Sequence, residues 1–429
     1  MTGEITAFVI IFGTLMFLFG LVSRKIAGTV ITAQMIFVAA GILLSPAGLN
    51  LIKISPNSSL VLVIAEIALV LTFFSDASRI GLRTLLQSDW LSGRLLLIGL
   101  PLTIGLGTAV ALIIFTDLSL IEAALLGAIL APTDAALGQK VVEERKVPVL
   151  VRQGLNVESG LNDGAVMPLF IFLLVLGTGE ELNEPIGILF NIALGQIGLG
   201  ILIGGAIGLA GGWLFGKAAV KGWMSEFYYR TGFVALALIS WLMADEMGGS
   251  GFIAAFVAGL ATGAIGREIT EEEVILAKVE ANTLSLAVLF IIGIVSGELL
   301  PLINLTVLTY AVLSLTIIRM LPVAISLIGT HLNIRTQLFV GWFGPRGLAS
   351  IVLLLIAIGD VEGLVLSETI ELAVITTVLI SIFAHGITAG PASKHYSEIV
   401  NAMPSDAPEK KEVEELPTRQ GTESGKSID

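Results

Sequence analysis

Cysteine is missing altogether from this chain, which excludes disulfides, iron–sulfur clusters and thiol catalysis. Charge is scarce: Asp, Glu, Lys and Arg make up 14% of the 429 residues, against about 25% in a soluble domain. With 55% hydrophobic residues and a mean hydropathy of +0.95, that shortage excludes a soluble globular domain and places the chain among membrane proteins. Sustained polar–apolar alternation is also lacking, so a β-barrel is rejected and an all-α polytopic bundle expected. No basic segment precedes the first apolar run and no convincing small-residue cleavage site follows it, so that run is read as a retained helix. Nothing suggests a nucleotide site, a nucleic-acid partner, a redox cofactor or an enzyme.

What is present is a succession of about thirteen apolar stretches, each long enough to cross about 30 Å of hydrocarbon as a helix. They cover residues 4–23, 27–46, 58–78, 94–116, 119–139, 148–177, 185–216, 227–245, 249–266, 274–297, 301–329, 336–358 and 369–391. Their connections alternate in charge. Arg24, Lys25, Arg79, Arg83, Lys140, Arg145, Lys146, Lys217, Lys221, Arg267, His331, Arg335 and Lys394 fall in one set; the other holds Lys53 among acids such as Asp117, Glu180, Glu298 and Asp360. The positive-inside rule then sets the N-terminus outside and the C-terminus in the cytoplasm, as an odd number of spans also requires. The host is expected to be a plasma (inner) membrane. The transmembrane domain covers 1–403; residues 404–429, polar and nearly free of large apolar groups, are expected to form a disordered cytoplasmic tail.

Ionisable residues inside such spans are costly and line pathways or pair with other polar groups. The fifth stretch contains AILAPTDAALG, with Pro132 directly before Thr133 and Asp134. Proline removes a backbone donor and opposes the carbonyl four residues back, so the helix breaks there and frees carbonyls as ligands. The twelfth stretch repeats the pattern in GWFGPRGLAS, with Gly344, Pro345, Arg346 and Gly347. Two interrupted spans, one per half, point to a transporter of inverted repeats with its site at the midplane.

The next span after Asp134 opens with NVESGLNDG. Ser159 and Asp163, four apart, share a helix face; Glu158 and Asn162 form a second stripe beside it. Thr133, Asp134, Ser159 and Asp163 thereby offer oxygens near one point, a set suited to a hard monovalent cation. No histidine or cysteine stands nearby to favour zinc or copper. Glu158 would repel Asp163 unless matched, and Arg319, in LTIIRMLPVAI, is the buried cation available for an ion pair between core helices.

With LAPTDAAL, NVESGLNDG, Arg319 and GPRGLAS in place, the chain resembles a sodium/proton antiporter of the NhaP type. That type lies within the monovalent cation:proton antiporter superfamily, which includes the animal sodium/hydrogen exchangers. The resemblance covers roughly residues 5–395. It implies that Asp163 alternately carries the cation and the proton, that Thr133 and Ser159 donate oxygens, and that Asp134 sits where two broken helices cross. Asp134 there balances positive half-helix ends or contacts the ion through water. Asn162 stands where electrogenic relatives have a second aspartate, which implies electroneutral exchange, and Glu158 with Arg319 matches the family ion pair. Asp76, in TFFSDAS, stands in the third span, where members often place a further ion-binding acid, although the usual pattern is Phe-Glu-Gly-Gly. The resemblance further implies a mobile core moving against a dimerisation domain, and a homodimer.

The chemistry also follows without the family. Burial favours the neutral form of a site, so one negative charge is neutralised by one proton or one cation, never both. Competition plus alternating exposure makes an exchanger that moves no net charge. Sodium is the first expectation, with potassium and lithium open. An intramembrane aspartyl protease would need two carboxylates about 3 Å apart and leaves the proline breaks unexplained; a channel would use symmetric rings, whereas this chain offers one asymmetric site. Other polar residues carry two readings each. Glu66 suits a helix–helix hydrogen bond or an outer path, His385 a pH sensor or a packed neutral ring, and Glu280 with Asn282 a gate or simple interfacial solvation. The run GLGILIGGAIGLAGG suits a small-residue helix interface.

Overall fold

The computed structural model describes residues 3–27, 29–54, 58–79, 90–134, 137, 138, 141, 144, 146–182, 186–265, 271–359 and 367–411. Among the loop cations used for orientation, Arg83, Lys140, Arg145 and Arg267 lie outside these residues, as does the tail from 412 onward. The α-helices are α1 (Gly3–Ala27), α2 (Ala33–Leu44), α3 (Ser59–Arg79), α4 (Trp90–Arg94), α5 (Leu100–Ile114), α6 (Leu120–Ile129), α7 (Val149–Leu182) and α8 (Ile186–Val220). The remainder are α9 (Glu226–Glu246), α10 (Gly251–Ile265), α11 (Glu271–Leu299), α12 (Leu305–Leu315), α13 (Ile317–Ser326), α14 (Ile334–Trp342), α15 (Leu348–Gly359) and α16 (Glu368–Asn401). No strand occurs among the described residues. Each expected stretch contains helix; among the described residues 8 helical segments are long and apolar enough to cross a membrane by length and composition, and α2, α6, α10 and α15 are shorter apolar helices.

Side-chain caps start many of these helices where loops hand over to hydrocarbon. Thr32, Ser119, Asn304, Asn333 and Ser367 each accept a first-turn amide of α2, α6, α12, α14 and α16, satisfying donors that the helix itself leaves over. A π-helical turn, Leu95–Gly99, joins α4 to α5 just before Pro101. There Arg94 reaches across to donate to the carbonyls of Ser326 (2.6 Å), the last residue of α13, and Ile328 (2.7 Å) just beyond it.

Three boundaries differ from the sequence reading. The expected stretch 301–329 breaks at Thr316 (φ −111°, ψ −94°). Its carbonyl restarts the ladder by accepting from Arg319 (3.2 Å) and Met320 (2.6 Å), ahead of Pro322, which weakens any continuous helix. Stretch 336–358 is divided into α14 and α15 by Phe343–Gly347, the segment in which the sequence reading placed its second interruption. The last helix runs ten residues beyond Pro391, to Asn401, because Tyr396 and Val400 are buried against α14, with the Tyr396 ring stacked 4.1 Å from that of Phe339. Finally, the tail expected to be disordered from 404 is ordered through 411: Pro408–Lys410 forms a 3₁₀ turn whose Glu409 is buried and hydrogen-bonded to the start of α14.

Burial runs opposite to that of a soluble protein. Phe17, Leu21, Leu202 and Leu209 on α1 and α8 face outward, whereas Arg319, Arg346 and Glu158 lie at 1%, 0% and 1% exposure. Every residue from 150 to 164 on α7 is buried, so this helix is enclosed on all sides at the segment that carries NVESGLNDG. Helices α3, α6, α8 and α10 pack around it.

The glycine run of α8 places Gly200, Gly204, Gly208 and Gly212 at four-residue spacing against α10. A Cβ on Gly204 or Gly208 would strike the backbone of Ala254 or Ala258, and Thr262 donates to the Gly208 carbonyl at 3.1 Å. Such close approach lets helices associate where no hydrophobic effect separates them from lipid. Replacing Gly204 by Val is therefore expected to destabilise the bundle by about 1–3 kcal/mol, whereas Gly198→Val, which meets nothing within 4 Å, leaves it unchanged. Thermal unfolding of the two purified variants in detergent checks the difference.

Candidate functional site

Helix α6 ends at Ile129, and Ala131–Asp134 continue without helical structure. Pro132 has no amide hydrogen and its ring opposes the Ala128 carbonyl, which ends the ladder. Phe343–Gly347 interrupts α14 and α15 in the same way.

The two interruptions are bonded to each other. The Asp134 amide donates to the Pro345 carbonyl at 2.8 Å, and the Leu348 amide at the start of α15 donates to Asp134 Oδ2 at 3.0 Å. In the opposite sense Arg346 Nη1 donates to the carbonyls of Ala131 (2.5 Å) and Pro132 (2.9 Å). A carboxylate thus caps the positive end of one half-helix and a guanidinium the negative end of the other, each contact worth about 0.3–1 kcal/mol in the open and up to about 2 where partly buried. Two glycines make room: a Cβ at Gly347 would strike the Asp134 carboxylate, and one at Gly344 the Arg319 guanidinium.

Helix α16 fixes the second interruption from behind. The Arg346 amide donates to Ser381 Oγ (2.7 Å), Ser381 Oγ lies 3.1 Å from His385 Nδ1, and His385 Nε2 lies 2.8 Å from the Trp342 carbonyl. Nε2 faces the Trp342 carbonyl, and Nδ1 lies against both Ser381 Oγ and the Ser381 carbonyl (3.0 Å). His385 is packed against Trp342, the two rings tilted with their centroids 4.8 Å apart. Ser381 and the Trp342 carbonyl carry no signal in the sequence; only the histidine stood out.

Against this crossing lies the polar turn of α7. Thr133 Oγ1 is 2.9 Å from Ser159 Oγ, and Asn162 Nδ2 donates to Thr133 Oγ1 at 2.7 Å. The two stripes are thus not segregated as expected. Ser159 and Asn162 both meet Thr133, since residues three apart also share a face. Asp163, at 4% exposure, lies one turn beyond Ser159 on the same face. Asn162 Oδ1 is buried and has no hydrogen-bond partner among the described residues, a condition that costs about 1–3 kcal/mol and that an incoming donor or cation relieves. Asp76 is held by Arg79 three residues on in α3, both side chains buried.

Glu158 and Arg319 form a two-pronged pair, Nη1–Oε1 2.6 Å and Nη2–Oε2 2.8 Å, with both side chains 2% exposed. Counted as ionised, Asp134, Glu158 and Asp163 carry three negative charges and Arg319 and Arg346 two positive ones, a balance of one negative charge. Removing Glu158 alone leaves a buried guanidinium and is expected to cost about 3–5 kcal/mol, while the joint Glu158→Ala and Arg319→Ala change costs less than either alone. Denaturation of the three variants in detergent decides this; equal destabilisation by the single and double changes contradicts the pairing as a unit.

The sequence pattern of the family described as "Sodium/hydrogen exchanger, transmembrane" matches residues 12–395. The K(+)/H(+) antiporter NhaP of Alkalimonas amylolytica is 29% identical over 344 residues, which is 78% of this chain and 57% of that protein. The Na(+)/H(+) antiporter ApNhaP of Aphanothece halophytica is 29% identical over 239 residues, 55% of this chain and 43% of that protein. The chain spans about half the length of the curated relatives it matches. The solved sodium proton antiporter MjNhaP1 of Methanocaldococcus jannaschii superposes with a TM-score of 0.72 at 19% identity, covering 92% of this chain and 99% of that one. Its fold is shared along nearly the whole length, and with the pattern match over 12–395 it follows that this chain belongs to the sodium/hydrogen exchanger family.

Proposed function

We propose that this chain exchanges a monovalent cation for a proton, one for one, by competition at Asp163 with alternating access, and moves no net charge per cycle. The observation that carries this reading is the convergence of Thr133, Ser159 and Asn162 at a helix crossing whose buried charges balance to minus one. One cation or one proton completes that balance; two ions, or none, leave an uncompensated charge in low dielectric.

Each residue has a task in the cycle. Asp163 carries the cation or the proton. Ser159 Oγ, Thr133 Oγ1 and Asn162 Oδ1 replace water around the cation. Asp134 and Arg346 hold the crossing rigid, with Pro132 and Pro345 keeping both helices interrupted. Glu158 and Arg319 lock α7 to α13. Asp76, the further candidate ion-binding acid, is paired with Arg79 at the end of α3.

Sodium is the first cargo to test, with potassium and lithium as competitors, since the relatives' names include both sodium and potassium antiporters. The protein works as a homodimer in the plasma (inner) membrane with its N-terminus outside and its C-terminus cytoplasmic, an orientation supported by the charge asymmetry of its connections.

Proteoliposomes with an imposed pH gradient test this. Adding sodium, potassium or lithium is expected to release protons through wild type, and Asp163→Asn is expected to lower that flux at least about 10²-fold, to the level of empty vesicles. Full activity of the asparagine variant, or a silent wild type with every cation, removes the proposal.

A further inference from the structure

The two interrupted helices begin differently. At α6 the N-cap residue Ser119 and the third helical residue Glu122 cap each other: Glu122 N–H donates to Ser119 Oγ (3.2 Å) and Ser119 N–H to Glu122 Oε2 (2.9 Å). At α14 the N-cap residue Asn333 accepts from the Arg335 amide (2.9 Å), but the third helical residue is Thr336, which has no carboxylate to return to the Asn333 amide. That acid comes instead from the far end of the chain. The Asn333 amide donates to Glu409 Oε1 at 2.7 Å, and the Thr336 hydroxyl donates to the same oxygen at 2.9 Å.

The arrangement is built rather than incidental. Glu409 is 2% exposed, and the Tyr396 hydroxyl backs Thr336 at 3.0 Å. Lys410 Nζ donates to the Met403 carbonyl at 2.6 Å, closing residues 403–410 into a loop. The same 3₁₀ turn packs on α7, the helix that carries Ser159, Asn162 and Asp163. One short segment therefore touches both the half-helix that enters the crossing and the helix that bears the site. An acid at the third position of α14 would be a permanent cap; an acid on a separate segment is a removable one.

We propose that residues 404–411 are a latch on the exchange site, with Glu409 as the positioning residue that supplies the missing capping acid of α14. Seated, it holds α14, and through it Gly344–Gly347, in the position that presents the crossing to α7. Released, α14 is free to shift and this state of the site is depopulated. The inference rests on the exchange activity proposed above.

Two readouts on the full-length protein test it. In proteoliposomes, Glu409→Ala is expected to raise the sodium KM about tenfold, the effect of depopulating the competent state to about a tenth, with little change in maximal rate. Glu409→Gln, which keeps an acceptor oxygen, falls between. In detergent, amide exchange at residues 333–337 is expected to accelerate in Glu409→Ala. Adding Thr336→Glu to Glu409→Ala puts an acid back at the third helical position, and is expected to restore both the KM and the slow exchange. Wild-type KM and wild-type amide exchange in Glu409→Ala overturn the latch, as does failure of Thr336→Glu to restore either. A wild type that moves no protons removes the activity reading alone, and amide exchange with its rescue then decides whether Glu409 caps α14.

Discussion

Two helices interrupted inside hydrocarbon must find partners for the amides and carbonyls that the interruption frees, and here each finds them in the other. Asp134 accepts from the first amide of α15, while Arg346 donates to the Ala131 and Pro132 carbonyls just beyond α6. Both interruptions are buried, where unsatisfied backbone is costly, so the pairing of a carboxylate with amides and a guanidinium with carbonyls across the crossing is what supports irregular backbone there. Everything near it follows: glycines at 344 and 347 because side chains would collide with charged groups, prolines at 132 and 345 because a continuous ladder would close the gap, and Ser381 with His385 as the brace behind.

The crossing neutralises itself, and that has a functional consequence. Glu158 and Arg319 cancel likewise, at distances of 2.6 and 2.8 Å. What remains is the charge of Asp163, next to three hydroxyl or amide side chains that join the broken segment to α7. A site whose surroundings are already balanced responds to a single added positive charge, whichever ion brings it. On the exchange proposed above, coupling of cation to proton requires no second device, only that one site be exposed alternately to the two sides.

Much of this was legible in the sequence because the costs involved are large. A proline or an ionisable group within an apolar run is too unfavourable to persist without a partner, so Pro132, Asp134, Glu158, Asp163, Arg319 and Arg346 stood out as one constellation. The alternation of loop charge and the apolar runs fixed the helices in the same way. What was not legible has small local cost or depends on distant residues. Ser381 is an ordinary serine in an apolar helix until its neighbour is known. Helix α16 passes through Pro391 because Tyr396 and Val400 find a cluster on α14. Glu409, in a stretch that reads as disordered by composition, is ordered by an amide 76 positions away.

The proposed competition between a cation and a proton for Asp163 is most directly tested at equilibrium, by titrating the purified protein with sodium in weakly buffered detergent and counting protons released per cation bound. Competition at one carboxylate gives release approaching one proton per cation when the site starts protonated, and an apparent affinity that weakens about tenfold for each pH unit on the acid side. Sodium binding with no proton release, and with an affinity indifferent to pH wherever the protein stays folded, would contradict it.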